Sequence, residues 1–136
     1  MQVIPNLHFS GHCEKAIELY EQAFGAKRTV LLWYQDAHPA DIDQESSDEK
    51  QELVYHAEIM VGNQRIILND NIDDIPYGIN VSLLLSFDST KKVKEAYEIL
   101  KDGARIITPI RETTYSSCFV SLIDRYGVRW ELMKES

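Results

Sequence analysis

Apolar positions recur with helical spacing at two places in the chain. Ala16, Ile17, Tyr20, Ala23 and Phe24 fall on one face of a helix, and Val93, Ala96, Tyr97 and Leu100 repeat the arrangement. The surrounding stretches are degenerate copies of each other. Leu7 to Lys27 reads LHFSGHCEKAIELYEQAFGAK and Leu83 to Arg105 reads LLLSFDSTKKVKEAYEILKDGAR. Glu18, Tyr20 and Glu21 fall on Glu95, Tyr97 and Glu98 at one constant offset, and Gly25-Ala26-Lys27 falls on Gly103-Ala104-Arg105 after a single inserted residue. Each helix follows strand-like residues and ends at a glycine suited to a left-handed turn. The repetition predicts two successive units, each beginning strand, helix, turn, strand.

The pattern between the helices supplies the remaining strands. Residues 2–9 read as a first strand, with Pro5 tolerable only near an edge or a strand end. Ser10 and Gly11 open the first helix, and residues 27–35, rich in β-branched and aromatic side chains, form the second strand. Residues 36–52 are polar and acidic and predict a loop or a lid. Residues 53–61 and 64–69 flank Gly62-Asn63 as a hairpin, and 70–78 make a second acidic linker. The run INVSLLLSF, 79–87, predicts a strand buried on both faces. Ser89 or Asp88 caps the second helix. Strands follow over 105–108, 114–123 and 128–133, with a turn at Asp124 to Gly127. Each half is β-α-β-β-β and the fold class is α+β: unit one covers about 1–73 and unit two about 79–136, within a single domain of 1–136.

Composition narrows the function classes. A chain of 136 residues buries the core of one ordinary domain. The formal net charge of −8 argues against nucleic acid or an anionic membrane as partner. No apolar run is long enough to span a bilayer and MQVIPNLHF lacks a signal peptide's features, so the expected location is the cytoplasm. Cys13 and Cys118 are too few for a disulfide framework or a cysteine metal knot. An EF-hand is not expected in Asp41 to Glu52, which lacks the alternating ligands and central glycine.

Three segments together, LHFSGHCEKAIELYEQAFGA, YHAEI with VGNQRIILND, and ETTYSSCFVSLIDRYGVRW, resemble the vicinal oxygen chelate superfamily. That superfamily includes glyoxalase I, extradiol dioxygenases and the bleomycin- and fosfomycin-resistance proteins, and the similarity is to its PhnB-like branch. The resemblance implies two tandem βαβββ units forming a cup-shaped mixed sheet around a cleft, a homodimer, and a small-molecule ligand. The branch commonly has Trp where this chain has Tyr115, and glycines at Ser116 and Val120. The chain has no Gly-rich nucleotide motif of the kind that binds a methyl donor or dinucleotide, so demethylubiquinone methylation, a label attached to the branch, is not expected.

In metal-dependent members the ligands come from four strand positions. Alignment on AIELY places Pro5 at the first, Ile67 or Leu68 at the second, Ser82 or Val81 at the third and Glu131 at the fourth. One carboxylate does not hold a catalytic ion, so no metal and no other cofactor is expected at the usual site.

The candidate site residues are Glu131, His56, Trp33, Tyr34, Tyr115 and Arg129. Alternation in VRWELM sets Arg129, Glu131 and Met133 on one face, so Glu131 either pairs with an arginine or faces the cleft. His56, read on one face with Val54, Glu58 and Met60, is either an acid/base partner of Glu58 or a hydrogen-bonded structural histidine. Trp33 and Tyr34, with Tyr115 and Phe119, either wall a ligand site or fill the core or dimer interface. His8 reads as structural or surface-exposed, His12 and His38 as solvent-facing, and Cys13 as a buried small apolar residue. Two functions follow: a binding protein of the resistance type that sequesters a ligand without chemistry, or a lyase, isomerase or dioxygenase-type enzyme using Glu131 and His56, with or without a divalent metal.

Overall fold

The computed structural model describes residues 1–38, 40 and 52–136; most of the acidic stretch read as a loop or lid lies outside them. The chain divides into two compact units, Met1–Pro76 and Tyr77–Ser136. Among the described residues, two α-helices and eight strands form two four-stranded mixed sheets, and the order β-α-β-β-β occurs twice.

In the first unit the elements are β1 (Asn6–Phe9), α1 (Cys13–Phe24), β2 (Lys27–Trp33), β3 (Val54–Val61) and β4 (Gln64–Asp70). The strand order is β1-β4-β3-β2, with β1 parallel to β4 and the other pairs antiparallel. Alternation does the sorting. Ala57 and Ile59 of β3 and Ile66 and Leu68 of β4 are buried, as are Ala16, Ile17 and Tyr20 of α1, the helix that contacts both strands. Gly25 ends α1 at φ 67°, the left-handed cap expected from sequence.

The start of α1 differs from the expectation. The helix begins at Cys13, and the group that satisfies its free N–H donors is distant in sequence: Asp70 Oδ1 accepts from Gly11 N at 2.8 Å and Cys13 N at 3.0 Å. Asp70 Oδ2 accepts from Val54 N at 3.0 Å. Asp70, read as the first residue of an acidic linker, is the last residue of β4 and 2% exposed. Its burial is tolerated because its carboxylate is satisfied by backbone donors.

The second unit contains β5 (Leu83–Ser86), α2 (Thr90–Leu100), β6 (Arg105–Arg111), β7 (Ser116–Ile123) and β8 (Arg129–Glu135), in the sheet order β5-β8-β7-β6. Ser89 is the cap of α2: its Oγ accepts from Lys92 N at 3.2 Å. Val93, Ala96 and Leu100 of α2 are buried, with Val120 and Leu122 of β7 and Trp130 and Leu132 of β8. Trp130 is fully buried, and its Nε1–H donates to Asp124 Oδ2 at 2.9 Å, so its large apolar gain is not offset by an unpaired donor. Gly127 turns at φ 91° against the ring of Tyr77, where a Cβ would come within 2.8 Å of Cε1.

One strand expectation is corrected. INVSLLLSF is not a strand buried on both faces: only Leu83–Ser86 are strand, Leu84 is 46% exposed and Val81 72%. β5 is the edge of its sheet and, among the described residues, pairs only with β8, so its apolar run alternates between a half-buried and an exposed face. Smaller differences are that β1 begins at Asn6 rather than at residue 2, that β6 extends to Arg111 and that β2 stops at Trp33.

Candidate functional site

A sheet covered by a helix on one side leaves every second side chain on the other. In the second unit, Arg129, Glu131 and Met133 occupy that helix-free face of β8, opposite buried Trp130 and Leu132. Their direct partners on β7 are Ile123, Ser121 and Phe119. Directly opposed residues share a face, with Cβ atoms about 4.5–5.5 Å apart. On the other side β5 places Leu84 beside Glu131. Two residues earlier, Ser82 Oγ donates to Glu131 Oε1 at 2.5 Å, a short hydrogen bond to an acidic acceptor. Among the described residues Glu131 forms no ion pair, so the arginine partner considered from sequence is not what holds it.

Two polar atoms of this face lack partners among the described residues. Ser121 is 2% exposed and its Oγ has no hydrogen-bond partner. Arg129 donates from Nη1 to the Ile79 carbonyl at 2.5 Å, and its buried Nε is unpaired. Such groups are uncommon in folded proteins because each carries an uncompensated desolvation cost.

In the first unit the helix-free face carries a different cluster. His56 Nε2 lies 2.9 Å from Glu58 Oε2, and Arg65 Nη1 donates to Glu58 Oε1 at 3.1 Å. The hydrogen bond from His56, with the Arg65 charge beside it, holds the Glu58 carboxyl below its ordinary range. Glu58 stands opposite Ile67 on β4. The pairing of His56 with Glu58 is the one that alternation suggested; Val54 is instead buried, past a register irregularity.

The four positions of the metal-dependent relatives are now specific. Leu68 is buried among the residues packed on the α1 side, which leaves Ile67 for the helix-free face, and Ser82 rather than Val81 touches Glu131. Pro5 contributes only its carbonyl, which accepts from Ile67 N at 2.9 Å. A proline, an isoleucine, a serine and one glutamate do not match the nitrogen and carboxylate donors that a catalytic divalent ion takes. Among the described residues no three His, Cys, Asp or Glu side chains gather as a metal cluster.

The other candidates are distributed over the two units. Trp33 ends β2 half-buried. Tyr34 is not on that strand but in a single 3-10 turn, Tyr34–Asp36, where its hydroxyl donates to the Asp70 carbonyl at 2.9 Å and its ring meets Tyr55 edge-on. Burial, and then the nearby Asp70, push the Tyr34 phenol above its usual value. Tyr115 precedes β7, exposed, and stands edge-to-face with Phe119 at 6.0 Å. Cys13 is buried, and desolvation, reinforced by Asp70 and Glu14, pushes its thiol far above the normal range, outweighing the helix dipole. His8, His12 and His38 are exposed. A groove of about 640 Å³ between residues 2–4 and the β3–β4 hairpin touches none of the candidates. Ser121 and Asp70 were not singled out from sequence. The only trace of Ser121 was a hydroxyl at an otherwise apolar alternate position of CFVSLI.

The family described as 3-demethylubiquinone-9 3-methyltransferase matches residues 1–133. A search of curated proteins finds no match. Among solved structures, protein PA1353 from Pseudomonas aeruginosa is 28% identical, with 99% of this chain and 98% of that one covered and a TM-score of 0.85. A putative 3-demethylubiquinone-9 3-methyltransferase, PhnB protein, from Bacillus cereus is 20% identical over 98% and 99% of the chains, at a TM-score of 0.81. A fosfomycin resistance protein, FosX, from Listeria monocytogenes, solved with Mn(II) and 1S,2S-dihydroxypropylphosphonic acid, shares the fold at 12% identity and a TM-score of 0.68, covering 100% and 93%. No described helix is long and apolar enough to cross a membrane. With residues 1–133 matched, the chain belongs to the family described as 3-demethylubiquinone-9 3-methyltransferase, and it has the doubled βαβββ fold of the PhnB, glyoxalase/bleomycin-resistance and fosfomycin-resistance structures.

Proposed function

We propose that this chain binds a small organic molecule on the helix-free face of its second sheet, without the divalent ion of its metal-dependent relatives and without another cofactor. The observation that carries the reading is the fate of the metal positions. Three hold no strong donor, and the surviving carboxylate, Glu131, is engaged by the Ser82 hydroxyl. Converted in this way, Glu131 serves as a hydrogen-bond acceptor for a ligand. Arg129 lies two residues before it on the same strand and Tyr115 belongs to the same unit, while His56, Trp33 and Tyr34 belong to the first. The reading includes a cytoplasmic homodimer: Ile79, Val81 and Leu84, exposed along the β5 edge, are the apolar surface a second copy would cover. The charge of −8 supports a partner list without nucleic acid or anionic membrane.

Metal content and a fragment screen test this reading. Purified protein should carry no stoichiometric ion, and Zn²⁺, Ni²⁺, Mn²⁺ or Fe²⁺ should leave the melting point unchanged. A ligand at about 100 times its Kd adds roughly 2.7 kcal/mol, a shift of several degrees that is easily seen. A stoichiometric ion, or a metal-dependent shift abolished by Glu131→Ala, overturns the reading. So does a fragment library in which no compound shifts the amide NMR signals around Glu131.

The second reading, an enzyme, is favoured by one contact, the 2.9 Å pairing of His56 with Glu58. A proton-transfer role for Glu131 or His56 predicts that Glu131→Gln or His56→Gln lowers turnover by about 10²- to 10⁴-fold with little change in affinity. Binding without turnover that survives Glu131→Gln nearly intact returns the choice to sequestration.

A further inference from the structure

The two unpaired polar atoms of the second unit lie on the same sheet face as Glu131, and together they specify a ligand more narrowly than the carboxylate alone. We propose that this face takes a neutral planar molecule through a carboxamide-like group, whose N–H donates to Glu131 and whose carbonyl accepts from Ser121 Oγ–H and Arg129 Nε–H. The inference rests on the binding reading above and names its ligand class.

Three observations converge. First, Ser121 is the direct ladder partner of Glu131, so its hydroxyl and that carboxylate project side by side. The hydroxyl is buried without a partner among the described residues, an uncommon state for a buried polar group. Second, the Arg129 guanidinium is anchored by Nη1 on the Ile79 carbonyl, which leaves the buried Nε–H as a fixed donor two residues along the same face. Third, the next rung of the ladder is apolar. Phe119 faces Met133, and Tyr115 stands edge-on to Phe119, so a flat apolar body attached to the polar group has a matching wall.

Charge selects among possible head groups. An anionic ligand meets the Glu131 carboxylate, and a cationic one meets Arg129; a neutral group that both donates and accepts satisfies both. The adjacent Ser86–Glu135 pair, 2.9 Å and exposed, shows that a serine-glutamate contact between β5 and β8 also occurs simply as strand pairing. What sets the Ser82–Glu131 pair apart is its partial burial and the orphaned donors beside it.

The test uses three ring compounds of similar shape, benzamide, benzoate and benzylamine, titrated into the full-length protein at neutral pH while backbone amide signals are followed by NMR. Benzamide should shift the signals of Ser121, Glu131 and Arg129, and the two charged probes should bind at least about tenfold more weakly, the value of one hydrogen bond set against an unpaired charge. Ser121→Ala should weaken benzamide by about tenfold while raising the melting temperature by about 3 °C, because it deletes a buried hydroxyl that nothing in the fold satisfies. A serine that serves only the fold predicts the reverse, a lower melting temperature and unchanged binding. Tighter binding of benzoate or benzylamine than of benzamide overturns the inference, as does unchanged benzamide affinity in Ser121→Ala. If other fragments bind at Glu131 and none of the three does, the ligand class is wrong and the binding reading stands; if no fragment binds there, both fall.

Discussion

Replacing Asp70 with asparagine keeps the shape of the side chain and removes what it does. The carboxylate accepts from three backbone N–H groups: Gly11 at 2.8 Å, Cys13 at 3.0 Å and Val54 at 3.0 Å. In Asp70→Asn one oxygen remains for Gly11 and Cys13, and the amide nitrogen is turned against the Val54 N–H, donor facing donor. Losing that charge-assisted bond and stranding a buried donor costs about 1.5–3 kcal/mol. The two retained bonds fall from charged to neutral strength, about 1 kcal/mol each. The expected loss is therefore about 3.5–5 kcal/mol, a large part of the roughly 5–15 kcal/mol available to a domain. An unfolding entropy of about 2.1 cal/mol/K per residue gives roughly 0.29 kcal/mol/K for 136 residues, so the melting temperature should fall by about 12–17 °C. Circular-dichroism melts measure the drop, and hydrogen exchange at Cys13 and Val54 locates it. A variant melting within about 3 °C of the parent refutes the view that Asp70 caps α1 and ties β3 to β4.

Two further outcomes follow from the titrating groups. Cys13 and Cys118 are both buried, so neither should react with a thiol reagent at neutral pH until the protein unfolds. Because the raised Cys13 value favours the neutral thiol in the folded state, its contribution is complete below an ordinary thiol pKa of about 8.5 and is lost progressively as the pH rises from there through the folded value. Rapid labelling of Cys13 in folded protein contradicts that. For Glu58 the sign is opposite: its lowered value means that the contribution is present above the ordinary carboxylate pKa of about 4.3 and lost as the pH falls through the folded value. Acid titration of stability in Glu58→Gln should accordingly be shallower than in the parent below about pH 5; superimposable curves remove Glu58 from the acid limb.

The local patterns that the chain carries within a few residues of each other were legible from sequence. Helical spacing at Ala16, Ile17 and Tyr20, alternation at Glu131 and Trp130, the Gly62 turn and the Gly25 cap are all short-range consequences of side-chain direction and backbone freedom, and they recur in the structure. Because the pattern occurs twice, the doubled βαβββ order followed. Tertiary structure decided what depends on partners distant in sequence. Asp70 is polar and adjoins acidic neighbours, so composition assigned it to a linker; only the approach of Gly11 and Cys13 from another element makes its burial favourable. The apolar run of β5 looked buried on both sides because hydrophobicity does not reveal whether a strand is at an edge. Ile67 and Leu68 were equivalent in the alignment until the sheet assigned opposite faces to them. The same holds for Ser82, Ser121 and Arg129. Nothing in their neighbourhoods announces a site, because a hydrogen bond to Glu131, or the lack of any partner, is a property of strands brought together by folding and not of the residues along one of them.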